Sequence, residues 1–521
     1  MSGCLAALRC PWSAANDREE APVLSRPTTP ARRRLRFAAV LTALTALAAV
    51  FTAPSASSTP QAGHRTRVPR LAWADCGDGF ECATARVPLG RTGESAELAL
   101  TRIPARDRAH RVGTLFVNGG LHAGNGGDLL RYRLAAFTAL ADRFDVVGVD
   151  PRGQSHSTPS AHCMTFEEER GIEAPLAAYP TVADRPDKVT EADALTSACA
   201  RNSSRALLEH MSTSDAADDL DLLRRAVGDD KLSYLGMSYG TVLGQMYAAR
   251  YPGKVRAMVL DGAIHASGYV SRPLRFDREQ LAASERSLSR FFGWCERTPS
   301  LCAFGGGHPA QAFDRLIDKL EDNRRAHPGR HDVLTGGLLL TQAIGGMIDP
   351  QGWPGFSQYL AHLDSQTLPT VEPPTGEDYL TAQQLAFSCL DREIPTDLRT
   401  HDRHFEAAAR VSPHFGRVYG YGELKCARWP VRPTERFDGP WRYTGSGRVL
   451  VIGVDGDPLT PLTWAERVTH EMGRARLLSV DGNGHTAFGR GGTCVDAAIT
   501  DYLTSGLLPR VGAHCALPDP A

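Results

Sequence analysis

The chain has 521 residues, a formal net charge of −1 and 22% charged side chains. Its length is sufficient for about three average domains or for one large catalytic domain with a long insertion. A nearly neutral chain offers no electrostatic attraction for nucleic acid, so we expect no nucleic-acid partner.

The first element along the chain is an apolar run from Phe37 to Phe51 that follows four arginines. Small residues and prolines come after it, which is the arrangement of a signal peptide. The run is shorter than the roughly 20 residues that a membrane-spanning helix needs. We therefore predict a leader over residues 1–56, a flexible tail over 57–70, and a secreted, extracellular protein with no membrane partner after cleavage.

Cysteine usage agrees with export. Two of the twelve cysteines, Cys4 and Cys10, lie in the predicted leader. The other ten are even in number and fall in couples close in sequence, which suits an oxidising compartment where disulfides persist. These couples are Cys76 with Cys82, Cys163 with Cys199, Cys295 with Cys302, Cys389 with Cys426, and Cys494 with Cys515. Other connectivities stay open. The chain has no C-x-x-C or H-E-x-x-H motif, so we expect no metal and no cofactor.

Short apolar runs rich in β-forming residues begin to recur after about Leu71. Continuous apolar runs, as opposed to alternating ones, are typical of strands that are buried on both faces. The predicted strands are 113–118, 144–150, 231–236, 255–261, 448–455 and 475–480. Because helical patterns separate them, we predict an α/β fold with a doubly wound, mostly parallel sheet.

Helices are predicted on both sides of the strand 231–236. Residues 212–228 have a helical pattern that begins with Thr213 or Ser214 as cap. Residues 241–252 have another, which Pro252 ends. The order around the third strand is therefore helix, strand, turn, helix, strand.

Helical patterns also dominate residues 265–445, where the strand signal fades. A segment of this length is too long for a simple crossover between neighbouring strands. We therefore predict a catalytic core over 71–264 and 446–521, with residues 265–445 inserted as a helical lid.

The turn between strand 231–236 and helix 241–252 contains Gly236, Ser238 and Gly240 in the pattern G-x-S-x-G. This is the nucleophile elbow of α/β-hydrolases, in which the serine lies on a tight strand-to-helix turn. The glycines are needed because a Cβ would strike the neighbouring backbone. The motif alone is a weak signal, but here it has the flanking strand and helix that it requires.

A serine nucleophile needs a base, and the base needs an acid that orients it. In this fold the chain order is serine, acid, histidine. Asp455 and Asp457 lie at the carboxyl end of the strand 448–455, and His485 lies in a glycine-rich turn just after the last predicted strand. We therefore predict Ser238 as nucleophile, His485 as base and one of the two aspartates as acid.

The tetrahedral intermediate also needs hydrogen-bond donors for its oxyanion. One is expected to be the backbone N–H of Tyr239, directly after the nucleophile, and the second to come from the loop after an early strand. The segment "FVNGGLHAGNGG" (116–127) has this position and is rich in glycine.

The chain resembles the secreted tripeptidyl-aminopeptidase family of α/β-hydrolases, which is related to the proline iminopeptidases. The resemblance rests on "WADCGDGFECATARVPLG", "FDVVGVDPRGQSHSTP", the elbow region, "GDPLTP", "GNGH" and the tail "CVDAAITDYLTSGLLPRVGAHC". It implies an α/β-hydrolase fold and Asp457, within D-P-x-T-P, as the acid, with Asp455 in reserve.

The oxyanion loop departs from the family pattern N-P-G-G-P-G-x-S-G. Leu121 and His122 occur where glycine and proline are expected. A backbone donor can come from any residue except proline, so we expect the second donor to be Leu121 or Gly120.

An aminopeptidase also has to bind the α-ammonium group of its substrate, which calls for a carboxylate. Asp391 and Glu393 in the lid are the candidates, and solvated charges at a helix end are the alternative.

The sequence therefore predicts a monomeric serine peptidase that removes short peptides such as tripeptides from the N-termini of peptide or small-protein substrates. Two alternatives stay open. The first is an esterase with the same triad, because the elbow chemistry does not distinguish esters from amides. The second is a non-catalytic binding protein on the same scaffold.

Overall fold

A computed structural model describes residues 67–120, 126–165, 168, 180–328, 330, 332–370, 380–433, 436–518 and 520. The predicted leader, most of the predicted tail and Leu121 lie outside these residues. Among the residues described, no helix is long and apolar enough to cross a membrane.

Ten strands form the central sheet. They are β1 (Ala74–Asp75), β2 (Glu81–Pro88), β3 (Ser95–Ile103), β4 (Gly113–Asn118), β5 (Phe144–Val149), β6 (Leu232–Met237), β7 (Val255–Asp261), β8 (Val449–Gly456), β9 (Ala475–Asn483) and β10 (His514–Ala516). Their order is β1-β2-β3-β5-β4-β6-β7-β8-β9-β10. The pairs from β5 through β4 to β10 are parallel. The six predicted strands are β4 to β9, and the mostly parallel α/β sheet is confirmed.

The sequence analysis missed four strands: β1, β2 and β3 at one edge of the sheet and β10 at the other. β1, β2 and β3 pair antiparallel, and β3 pairs antiparallel with β5. In β2 and β3, buried and more accessible residues largely alternate along the chain. An edge region with one solvated face has this period-two pattern, so its strands lack the continuous apolar runs of the parallel centre.

Six helices precede β7 among the described residues. They are α1 (Gly126–Tyr132), α2 (Leu134–Phe137), α3 (Arg185–Asn202), α4 (Arg205–Glu209), α5 (Thr213–Ala226) and α6 (Gly240–Arg250). Helix α5 begins with Ser212 as its cap, whose hydroxyl accepts from the Asp215 N–H. The predicted cap, Thr213 or Ser214, was therefore wrong by one or two residues. The Thr213 side chain instead donates to Asp391, so its hydroxyl serves a tertiary contact.

Helices dominate the described chain between β7 and β8. Its helices are α7 (Ala266–Ser271), α8 (Pro273–Arg297), α9 (Pro309–Ala326), α10 (Gly336–Ile348), α11 (Trp353–Ser365), α12 (Leu380–Asp391), α13 (Leu398–Val411), α14 (Phe415–Tyr419) and α15 (Leu424–Ala427). Leu281, Phe291, Phe313, Leu316 and Trp353 belong to a hydrophobic cluster of their own within this segment. This helical segment is called the lid below, and its role as a lid stays a prediction.

Two helices connect the last three strands. Helix α16 (Leu462–Met472) lies between β8 and β9, and helix α17 (Thr493–Ser505) lies between β9 and β10. Five disulfides join the ten cysteines in the expected couples, Cys76–Cys82, Cys163–Cys199, Cys295–Cys302, Cys389–Cys426 and Cys494–Cys515. One of them ties α12 to α15 within the lid, and another ties α17 to β10.

Helix α6 lies very close to the central strands. A Cβ on Gly236 would approach the Gly240 carbonyl oxygen to 2.4 Å, and a Cβ on Gly240 would approach the Asn118 carbonyl oxygen to 2.5 Å. Backbone atoms cannot move aside as a flexible side chain can, so both positions require glycine.

We expect Gly236→Ala to lower the free energy of unfolding by about 1–3 kcal/mol, since overpacking a closely packed core costs about this much. Denaturant unfolding monitored by circular dichroism measures the change. Gly253→Ala is the matched control, because a Cβ there would meet no atom within 4 Å. Equal unfolding midpoints for the two variants would contradict the close packing.

Candidate active site

Ser238 lies in the tight turn between β6 and α6. Its φ is +54°, which a non-glycine residue rarely adopts. The turn is held by backbone hydrogen bonds: the Ser238 N–H donates to the Asp261 carbonyl at 2.9 Å, and the Thr241 N–H donates to the Ser238 carbonyl at 2.9 Å. The Thr241 hydroxyl donates to the same carbonyl at 2.6 Å. This is the strained backbone expected of a nucleophile elbow.

Asp457 and His485 are in direct contact. The His485 Nδ1 lies 3.0 Å from each carboxylate oxygen of Asp457. The same carboxylate accepts hydrogen bonds from the backbone N–H groups of Leu459, Thr460 and Thr486 and from the Thr460 hydroxyl. The acid is therefore fixed in one orientation, and it fixes the ring.

The charge state of Asp457 results from two opposing effects. Complete burial disfavours its charged form, but the His485 ring and the hydrogen bonds that the carboxylate accepts outweigh burial and lower the pKa of Asp457. An ionised acid at this position holds the Nδ1 proton of His485, which leaves Nε2 free to accept a proton from a nucleophile.

The Nε2 of His485 is buried and has no hydrogen-bond partner among the described residues. The hydroxyl of Ser238 therefore does not reach it in this structure. In ligand-free hydrolases this hydrogen bond is often long and shortens when substrate binds. Buried polar atoms usually have a hydrogen-bond partner, so the His485 Nε2 is the chemically unusual atom of the site.

Asp261, at the end of β7, connects the elbow to the histidine turn. Its carbonyl accepts from the Ser238 N–H, while its carboxylate accepts from the backbone N–H groups of Ala487 and Phe488, just after His485. Burial raises the pKa of Asp261, although those two backbone donors oppose the rise. The sequence analysis missed this residue, whose only signal was a carboxylate at the end of a buried strand.

The reserve acid, Asp455, is directed elsewhere. Its carboxylate lies 2.9 Å from the Arg290 guanidinium and accepts from the Gly482 N–H at 3.0 Å. It is 40% exposed, whereas Asp457 is fully buried against His485. The geometry therefore assigns the contact with the base to Asp457.

Gly120, one of the predicted oxyanion donors, lies next to Ser238. A Cβ on Gly120 would lie 2.9 Å from the Ser238 Cβ and 3.0 Å from the Tyr239 backbone N, so its backbone packs directly against the elbow. The Gly120 N–H itself donates to the Asn118 side chain at 2.9 Å. Gly120 therefore uses its donor within the loop, and Leu121 as second donor stays a prediction outside the described residues.

A cleft of about 430 Å³, including its open mouth, lies beside the elbow. Gly120, Gln154, Thr213, Tyr239 and Phe387 are among its lining residues, and none of the described residues that line it is charged. Phe387 comes from lid helix α12, so the lid and the core together form the cleft.

The two carboxylates predicted to bind a substrate amine have different environments. Asp391 is buried, and its carboxylate accepts hydrogen bonds from Thr213 and from the Tyr239 hydroxyl. Glu393 is exposed. Neither is among the described residues that line the cleft.

Two regions of the chain match family models. Residues 115–305 match the α/β-hydrolase fold, and residues 412–515 match the family described as TAP-like protein. The first region contains the elbow, and the second contains Asp457 and His485.

Curated relatives are similar over most of the chain. Serine protease Hip1 of Mycobacterium tuberculosis is 30% identical over 473 residues, with 84% of this chain and 87% of that protein covered. Carboxylesterase B of the same species is 31% identical over 504 residues, with coverage of 89% and 93%. Tripeptidyl aminopeptidase of Streptomyces lividans is 27% identical over 553 residues, with coverage of 93% and 97%.

We expect Asp457→Asn to lower kcat by about 10⁴-fold, because an amide would hold the histidine in the wrong tautomer. Asp455→Asn is the matched control and is expected to retain activity near that of the wild type, since Asp455 contacts Arg290 instead of the base. Steady-state kinetics with an activated acyl ester measures both. A larger loss in Asp455→Asn than in Asp457→Asn would refute the assignment.

Proposed function

Because the chain is a serine hydrolase that belongs to the TAP-like family of α/β-hydrolases, we propose that it removes short peptides, such as tripeptides, from the N-termini of peptide or small-protein substrates. The observation that carries this proposal is the Asp457–His485 pair, with its buried Nε2 that has no partner among the described residues, linked through Asp261 to an elbow serine at positive φ. The names of the relatives direct it to peptides.

In the proposed mechanism Ser238 attacks the scissile carbonyl carbon while the His485 Nε2 takes the hydroxyl proton. Asp457 stabilises the imidazolium that forms. The backbone N–H groups of Tyr239 and Leu121 would bind the oxyanion, each contributing about 2.7–4 kcal/mol to lowering the barrier.

The tetrahedral intermediate then collapses. The His485 imidazolium gives its proton to the leaving amine, the C–N bond breaks, and the acyl group remains as an ester on Ser238. Water, deprotonated by the same histidine, attacks this acyl-enzyme and releases the N-terminal peptide. No step requires a cofactor.

The amine subsite and the compartment are part of the proposal. Glu393 is the lid carboxylate proposed to attract the substrate's α-ammonium group, because the Asp391 carboxylate is buried and already accepts hydrogen bonds from Thr213 and Tyr239. Five disulfides support an oxidising, extracellular location, which agrees with the signal peptide predicted in residues 1–56. We propose that the exported enzyme acts as a monomer.

An esterase is the second candidate function. A relative that is 31% identical is named carboxylesterase B, and the described cleft lining has no charged side chain. An uncharged cleft suits a neutral acyl group as well as it suits a peptide.

The two functions are separated by a matched set of chromogenic substrates: a free-amine tripeptide, its N-blocked counterpart, a single amino acid and a short acyl ester. We expect the free-amine tripeptide to have the highest kcat/KM, and Ser238→Ala to lower kcat by about a millionfold, as in other triad enzymes.

The outcomes differ for each function. Turnover of the ester alone would replace the peptidase by an esterase. Equal turnover of free and blocked tripeptides would refute recognition of the N-terminus, and turnover that survives in Ser238→Ala would refute the serine mechanism.

A further inference from the structure

Asp391 is a buried carboxylate with an uncommon set of partners. One oxygen accepts from the Thr213 N–H at 2.9 Å, and the other accepts from the Tyr239 hydroxyl at 3.0 Å and from the Thr213 hydroxyl. The two hydroxyl oxygens are also in contact with each other. Asp391 forms no ion pair with a basic side chain among the described residues. The side chains of Asp391, Thr213 and Tyr239 are therefore in mutual contact, and two of them, Thr213 and Tyr239, line the cleft.

The burial of Asp391 disfavours its charged form. Burial raises the pKa of Asp391 to about 6, against the hydrogen bonds from Thr213 and Tyr239. An apolar or amide side chain would fill the same space at less cost. An ionised carboxylate, however, only accepts hydrogen bonds, so one of its oxygens accepts from both hydroxyls while the other accepts from the Thr213 N–H. An amide has an acceptor oxygen at only one of these two places.

The ring of Tyr239 is held from other sides as well. Phe387 and Tyr269 pack edge-on against it, with ring centroids 6.3 Å and 6.2 Å away. Phe387 and Asp391 both belong to α12, and the Cys389–Cys426 disulfide ties this helix to α15. Lid helix α12 thus contacts the elbow at Tyr239, through Phe387 and Asp391.

The backbone of Tyr239 has a different task from its ring. Its N–H follows Ser238 directly and is the proposed oxyanion donor, for which orientation matters more than any other property. We propose that Asp391 is a positioning residue for the oxyanion hole: by holding the Tyr239 hydroxyl, its carboxylate fixes the peptide plane that presents the Tyr239 N–H to the oxyanion. This inference rests on Ser238 as nucleophile and not on the class of substrate.

Positioning and amine binding by Asp391 have different consequences. A carboxylate that binds the substrate amine affects KM, and only for substrates with a free amine. A carboxylate that positions the oxyanion donor affects kcat for every acyl substrate, as well as the rate at which a fluorophosphonate phosphonylates the serine, because that reaction also places an oxygen in the oxyanion hole.

The test compares wild type, Asp391→Asn, Tyr239→Phe and the double variant. The second-order rate constant for labelling by an alkyl fluorophosphonate is the main measurement, and kcat and KM for a chromogenic acyl substrate are the second. Tyr239→Phe removes one hydroxyl and keeps the ring and the N–H, so it tests the same contact if Asp391→Asn fails to fold. Glu406→Gln, an exposed lid carboxylate, is the control for loss of charge.

We expect Asp391→Asn and Tyr239→Phe each to lower the labelling rate and kcat by about 10- to 100-fold, with KM within twofold of the wild type. The double variant should be no slower than the slower single variant, because both substitutions remove one contact. Glu406→Gln should label at the wild-type rate.

Three results would overturn the inference. The first is wild-type labelling in folded Asp391→Asn or Tyr239→Phe. The second is a double variant whose loss equals the product of the single losses. The third is a rise in KM confined to free-amine peptides, which would assign Asp391 to amine binding. A wild type that is labelled but cleaves no peptide would refute the proposed peptidase and leave the comparison of labelling rates intact.

Discussion

The close approach of helix α6 to the central strands is the constraint on which the rest of the site depends. Gly236 and Gly240 leave no room for a Cβ, and Gly120 packs against the same turn. Ser238 can then occupy a positive φ because backbone hydrogen bonds on both sides hold it there. Strain of this kind persists only where the surroundings determine the conformation. These contacts therefore fix the backbone of Ser238, against which the other catalytic groups are arranged.

The groups that meet the elbow are held by buried carboxylates. Asp457 fixes the His485 ring, Asp261 fixes the backbone just after that ring, and Asp391 reaches the hydroxyl of Tyr239 from the lid. Each accepts hydrogen bonds from groups that it orients, which offsets the cost of burying its charge. Core and lid thus converge on two adjacent residues, Ser238 and Tyr239.

The sequence predicts the parts of this structure that have local signals. Continuous apolar runs identify β4 to β9, and chain order with strand-end position identifies Ser238 and His485. The alternating strands β2 and β3 do not produce such runs. In the sequence, only the family resemblance distinguishes Asp457 from Asp455, because both lie at the end of the same strand. The partners of Asp261 and Thr213 are 226 and 178 residues away along the chain, so only the tertiary structure reveals them.

The central claim is that Ser238, activated by His485, is the single nucleophile of this enzyme. The most direct measurement is peptide mapping by mass spectrometry after reaction with an excess of a fluorophosphonate, on wild type and on His485→Ala. The account predicts one adduct per chain, on Ser238, and little or none in His485→Ala over the same time. An adduct on a different residue, or equal labelling of Ser238 in the two proteins, would contradict it.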